Sequence, residues 1–377
     1  VKITAVTATP IAIPLERPFH WRSGVQEGAN LVLFTVETDA GATGYGESIC
    51  EDPAAAVSYG RLMARAFVGR SPGEIEAIFG ELWRDGRWRF VPHFSLQVLS
   101  GIESACWDAL GKALGVPAST FLGGRVHDEV DFMAFPQGDT AEELARDAAA
   151  LAAEGYRVVY LKVGRGHRDD AEIVGAVRDA IGPEPLLRVD PNEAWDVPGA
   201  VDAIRRLEAF DLDWVEQPVP AGNVSGLAWV RRTVETKIAA DQAVHTTAEL
   251  RAVLEQEAAD AIVLGSHESG GLWRWRQLAY LAEAHGIPMN RHACVESAIS
   301  TFAALQVMGC LPNQTLGNQV MHHLLAEQLV TTPIELAGGR VSVPAAPGLG
   351  FEIDLDAVGR ARERHERQGP YVAGERP

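Results

Sequence analysis

Polar residues interrupt a series of short apolar runs at a nearly fixed interval through the middle of this chain. Lys162, Asp190, Glu216, Asp241, Gly265 and His292 end the runs VVYLK, LLRVD, LDWVE, KIAAD, AIVLG and IPMNRH, with steps of 28, 26, 25, 24 and 27 positions. Apolar runs of this length read as strands buried on both faces. The segments between them carry helical spacing. In LWRWRQLAYLAEAHG, Leu272, Trp275, Leu278 and Ala282 share one face before Gly286 and Pro288 stop the helix. One strand plus one helix per beat predicts a parallel sheet. VDFMAF opens the series and a weak eighth run lies near QTLGN. So regular a beat favours a closed (β/α) barrel over an open sheet, and in such a barrel the strand exits converge on one face.

Residues before about 125 have a different texture. VKITAVTATPIAIPL alternates and reads as a strand, not as the apolar core of a signal peptide. NLVLFTVETDAGATGYGES reads as a hairpin turning at Asp39-Ala40-Gly41. SLQVLSGIESACWDALGKALG reads as a helix with Leu99, Ile102, Cys106 and Leu110 on one face, ended by Gly115 and Pro117. Residues 17–30, RPFHWRSGVQEGAN, read as a loop. After about 330, GRVSVP and APGLGFEI read as short strands and turns that pack back on the N-terminal region, followed by a charged helix with a frayed end. The expected organisation is therefore 1–125, 126–330 and 331–377.

The net charge of −18 argues against nucleic acid as a partner. No apolar run reaches membrane-spanning length. Cys50, Cys106, Cys294 and Cys310 are too scattered for a zinc knuckle or a disulfide scaffold. A cytoplasmic enzyme is expected.

Asp190, Glu216 and Asp241 leave three consecutive strands into one mouth. Carboxylates brought close raise one another's pKa unless a cation sits among them. An all-oxygen set suits a hard ion, and Mg2+ keeps positions for water or a substrate carboxylate. Taken singly, each acid also reads as a cap on the following helix; three in step point to a metal. Lys162, one exit earlier and beside that dication, is expected to have a depressed pKa and to act as a base, the alternative being a structural ion pair with one of the acids. His292 exits across the barrel, as a hydrogen-bonded core residue or as a second catalytic group.

These motifs, with GATGYGES and SACWDALGKALGVPASTFLGG in the first domain, resemble the mandelate racemase/muconate lactonizing group of the enolase superfamily over nearly the whole chain. The resemblance implies an α/β fold, a modified TIM barrel of (β/α)7β type, under an N-terminal α+β capping domain completed by the C-terminal tail. It implies one Mg2+ per active site on Asp190, Glu216 and Asp241, with Asn192 and Pro218 beside the first two. Lys162 and His292 would work around an enolate. A small-molecule carboxylate substrate and a homo-oligomer are also implied, with no membrane partner. The leading expectation is dehydration of a hydroxylated sugar acid to a 2-keto acid. Racemisation or epimerisation and cycloisomerisation use the same pair, and a non-catalytic metal-binding barrel is the rival.

This chain departs from the family pattern at three positions. Tyr160 replaces the first lysine of Lys-x-Lys and either donates a hydrogen bond to substrate or fills the barrel. Gly265 replaces the lysine of cycloisomerases and the aspartate that orients the racemase histidine, leaving His267 or Glu268 to partner His292. Asn318 stands about where the racemase has a glutamate on the substrate carboxylate. Glu296, and His20, Trp21 and Arg22 of the 17–30 segment, complete the expected substrate contacts.

Overall fold

The computed structural model describes residues 1–21, 24–86, 90, 93–372 and 374. Strands β1 (Ile3–Trp21), β2 (Gly24–Thr38) and β3 (Thr43–Ile49) form an antiparallel sheet in that order. In the segment 17–30, expected as a loop, residues 17–21 and 24–30 instead extend the paired strands β1 and β2. Phe19 pairs with Gln26, His20 with Val25 and Trp21 with Gly24, after a register shift beyond Pro14. Prolines at 10, 14 and 18 obscure the strand pattern in sequence, but proline is tolerated at edges and bulges, and β1 is an edge strand.

The helix Phe94–Leu114 lies on β3. A Cβ at Gly44 or Gly46 would collide with the backbone carbonyl of Ala105 or Gly101, so the glycines of GATGYGES set this close approach. Gly115, left-handed at φ 70°, ends the helix as its sequence predicts.

Strand β4 (Glu129–Asp131) leads into the barrel strands β5 (Val158–Lys162), β6 (Leu186–Asp190), β7 (Leu212–Glu216), β8 (Lys237–Ala240), β9 (Ala261–Val263) and β10 (Met289–Asn290). These last six form a parallel sheet in chain order. Two short segments close it into a ring. Ala134 bridges to Val159 of β5, Phe132 bridges to Asn318, and Gln314 bridges to Met289 of β10, all parallel. Thus the VDFMAF and QTLGN runs supply the first and eighth staves, and the fold is the modified (β/α) barrel under a capping sheet. GRVSVP does not join the cap; as β11 (Arg340–Ser342) it pairs antiparallel with β4. The tail reaches the cap further on, where Arg364 Nη1 donates to Ala12 O (2.8 Å) and Tyr371 meets Asn30.

Cap and barrel are joined by buried carboxylates. Glu103 of the cap helix accepts from the backbone N–H groups of Leu272 and Trp273, each at 2.9 Å, at the start of the barrel helix Leu272–Ala284. Glu47 of β3 accepts from Ser297 N (2.8 Å) and Ser300 N (3.2 Å) at the start of the helix Ala298–Met308. Both satisfy orphan donors where the helix dipole favours negative charge. No helix among the described residues is long and apolar enough to cross a membrane.

Candidate active site

Register places the chemistry. Tyr160 and Lys162 of β5 pair with Arg188 and Asp190 of β6. Residues two apart share a face of a strand, so Lys162 lies at the rim with Tyr160 one layer below it. Asp190 and Glu216 are wholly buried and Asp241 is 2 % exposed. None of the three caps the next helix: Asp196, Asn223 and Thr246 do that.

Tyr160 Oη donates within 2.6 Å of Asp190 Oδ2 and 2.9 Å of Glu216 Oε1, tying two of the acids together. Lys162 Nζ reaches the same Asp190 oxygen at 2.5 Å. Burial and the charges of Asp190 and Asp241 push the Glu216 carboxyl well above its usual range. Asp241 is raised too, chiefly by burial. Burial opposes the charge on Lys162, but Asp190, Glu216 and Asp241 outweigh it and raise its pKa. The acids by themselves stabilise the ammonium, whereas the depressed pKa expected from sequence is that of a lysine beside a dication.

These acids fit a hard cation. Asp241 Oδ2 is buried without a hydrogen-bond partner, and three buried carboxylates share few donors. Oxygens around Mg2+ lie within roughly 4.2 Å of one another. Asp190, Glu216 and Asp241 are not among the sets whose ligand atoms all approach within 4.8 Å, so they would draw inward on binding. Two other sets do meet that spacing among the described residues: Glu268, His292 and Cys294, and His93, His245 and Glu249.

His292 faces the acids, with Nδ1 3.8 Å from Asp241 Oδ1 and 2.8 Å from Glu268 Oε1. Burial disfavours the imidazolium, yet Asp241 and Glu268 lift its pKa to about 10. Of the two side chains expected to partner His292, Glu268 is therefore the one in contact with it. Gly265 makes the room, since a Cβ there would stand 2.6 Å from His292 O and 2.8 Å from Glu268 Oε2.

Lys162 and His292 line one cavity of about 270 Å3, together with Asn192, Gln97, Gln242 and Gln319. Phe19, Glu27 and Glu51 of the cap region and Tyr371 and Val372 of the tail supply other parts of its wall.

Several expected substrate contacts lie elsewhere. Tyr160 is fully buried beneath the cavity, its hydroxyl occupied by acids. Asn318 is buried against backbone, accepting from Arg291 N (2.8 Å) and donating to Asp131 O (2.9 Å). His267 does not partner His292; it sits between Ser100 and Ser300 and pairs with Glu296 at 3.0 Å. Glu296 also pairs with Arg291, so both its partners are structural. His20 pairs with Asp139 at 3.0 Å and lines not this cavity but a smaller one beside it, whose wall Phe19, Phe135 and Lys162 share. Arg22 and the side chain of Trp21 lie outside the described residues. Gln319 was missed. Its amide donates to Glu216 at 3.0 and 3.2 Å and its oxygen accepts from Ala293 N at 3.1 Å.

A capped barrel whose strand ends gather acids, a lysine and a paired histidine defines an enzyme of acid/base chemistry. Residues 2–123 match the mandelate racemase/muconate lactonizing enzyme N-terminal domain, and residues 143–357 match the enolase C-terminal domain-like family. The chain belongs to the mandelate racemase/muconate lactonizing enzyme branch of the enolase superfamily. It is similar to D-galactarolactone cycloisomerase of Agrobacterium fabrum, 30 % identical over 95 % of this chain and 98 % of that protein. It is 31 % identical to D-xylonate dehydratase of Haloferax volcanii over 91 % and 87 % of the two chains. The crystal structure of N-succinyl Arg/Lys racemase from Bacillus cereus superposes with a TM-score of 0.90 at 26 % identity, covering 96 % of this chain and 98 % of that one.

Proposed function

We propose that this protein is a Mg2+-dependent dehydratase that converts a hydroxylated, sugar-type acid to a 2-keto acid. The supporting observation is the Glu268-paired imidazolium of His292, held in the same cavity as Lys162. Asp190, Glu216 and Asp241 are the residues that would hold the ion. Bound among them, Mg2+ would offset their charge, ease deprotonation of Lys162 and stabilise the negative charge that builds on the substrate carboxylate.

Lys162, as the neutral amine, takes the proton from the α-carbon. The electrons of that C–H bond pass into the substrate carboxylate as an enolate, and in a second step they return to form the carbon–carbon double bond as the C–O bond at the β-carbon breaks. With Nδ1 turned to Glu268, His292 Nε2 delivers a proton to the departing oxygen, which leaves as water. The resulting enol tautomerises to the 2-keto acid. The side-chain amides of Gln97, Asn192 and Gln242 on the cavity wall suit a polyhydroxylated substrate, since amides both donate to and accept from hydroxyls. In this reading residues 1–125 and 331–377 wall the cavity while 126–330 carry the chemistry.

Incubation with a library of sugar acids, with and without Mg2+, tests the proposal through 2-keto acid formation. Deuterium entering the α-carbon of recovered substrate or its epimer from D2O, without keto product, would overturn it in favour of epimerisation.

A further inference from the structure

A second cluster of metal-ligating side chains lies at the seam between cap and barrel. His93 immediately precedes the cap helix Phe94–Leu114, whereas His245 and Glu249 belong to the loop and helix that follow β8. Their ligand atoms, one from each residue, all lie within 4.8 Å of one another. His93 Nε2 is 3.1 Å from Glu249 Oε1, and the two imidazoles stack with centroids 3.8 Å apart, a packing from which the half-exposed His93 ring would turn for both rings to aim their in-plane lone pairs at one ion.

Glu249 is oriented by the capping box of its own helix, Thr247–Glu255. Glu249 Oε2 is fixed by His245 N (3.0 Å), Thr246 N (2.8 Å) and Thr246 Oγ1 (3.0 Å), which leaves Oε1 turned to His93. His245 Nδ1 is buried with no hydrogen-bond partner. His93 adopts a left-handed backbone, φ 70°, which a non-glycine residue rarely holds without a compensating interaction.

We propose that His93, His245 and Glu249 form a second metal site, selective for a borderline ion such as Zn2+, that fastens the capping helix to the barrel. Two imidazoles and one carboxylate suit Zn2+ or Cu2+, whereas the all-oxygen set at the strand ends suits Mg2+. Side-chain exposures of 48 % at His93 and 37 % at Glu249 give an ion a way in. The fourth position falls to water. The same elements reach the catalytic cavity, because Gln97 follows His93 on the cap helix, and Gln242, three residues before His245, lines the wall. Occupancy at the seam therefore bears on how firmly that wall is held.

The test is Zn2+ titration of the full chain by calorimetry in excess Mg2+, together with thermal melts and Cu2+ electron paramagnetic resonance. The wild type is expected to take up a Zn2+ equivalent that raises Tm, and its Cu2+ spectrum should show coupling to two imidazole nitrogens. His93→Ala and His245→Ala should each weaken that equivalent at least tenfold and abolish the rise in Tm. His292→Asn and Cys294→Ser, which disable the other nitrogen- and sulfur-bearing cluster, should retain it. Unchanged Zn2+ binding in His93→Ala would overturn the site. So would a wild-type Cu2+ spectrum without two-nitrogen coupling, a readout that needs no variant to fold.

Discussion

Glu268 Oε1 stands 2.8 Å from Nδ1 of His292, and the glutamate lies three residues after the glycine that makes space for it. In the proposed reaction this pairing would turn Nε2 to the substrate, and the glutamate's charge favours the imidazolium. Glu268→Gln retains the shape and removes the charge. It should lower kcat by about 10- to 100-fold, the usual cost of removing such an orienting partner, and change KM much less. Steady-state kinetics on a substrate found by the library screen checks this, and an unaltered kcat would dismiss Glu268 as the orienting group.

Lys162 and His292 have separable tasks. Each of Lys162→Ala and His292→Asn should cost roughly 10^2- to 10^4-fold in turnover, the range for a positioned acid or base. In D2O, His292→Asn should still exchange the substrate α-proton, while Lys162→Ala should not. Exchange measured by NMR that survives in Lys162→Ala would move the base elsewhere.

Tyr160 binds no substrate in this geometry but clasps Asp190 and Glu216. Tyr160→Phe keeps the ring and removes the clasp. Mg2+ affinity should fall by about 10- to 100-fold, read from the Mg2+ dependence of Tm. An unshifted titration curve would show that the acids orient without it.

Glu103 accepts two backbone N–H groups at a barrel helix and the indole of Trp107. Glu103→Ala leaves these buried donors unpaired, at about 1–3 kcal/mol for each left unsatisfied. Urea unfolding should register a loss of that order or greater. A loss below about 0.5 kcal/mol, the scale of ordinary surface changes, would deny Glu103 a role in holding cap to barrel.

His322 is buried, bonded to Thr301 Oγ1 at 3.1 Å, and burial lowers its pKa from 6.5 to about 3. Below pH 6.5 the unfolded chain takes up a proton that the folded chain refuses. Its contribution to stability is therefore complete above that pH and falls as pH drops toward 3, by about 1.4 kcal/mol per unit at most. Urea midpoints measured from pH 7 to 4 should decline less steeply in His322→Gln. Identical slopes would mean that His322 protonates as freely folded as unfolded.

The strand-end residues were legible because alternation by two and a steady strand–helix beat are local properties that a barrel converts into convergence. Legibility failed where a position depends on one residue of register. Asn318 and Gln319 are adjacent, and a slip of one residue exchanges the faces of a strand. The eighth stave has no apolar pattern to fix that choice, so Asn318 was expected at the site that Gln319 occupies. Glu268 was one of two named alternatives, and only packing beside Gly265 separated it from His267. The pairing of His93 with Glu249 leaves no local signal, because the two residues lie 156 positions apart.

Tyr371 exchanges two backbone hydrogen bonds with the side chain of Asn30, both at 2.8 Å, and with Val372 it walls the cavity. During synthesis every acid, the lysine and the histidine emerge from the ribosome before that wall exists. A chain released short of Tyr371 carries the acids, Lys162 and His292 in a chamber that lacks this part of its wall.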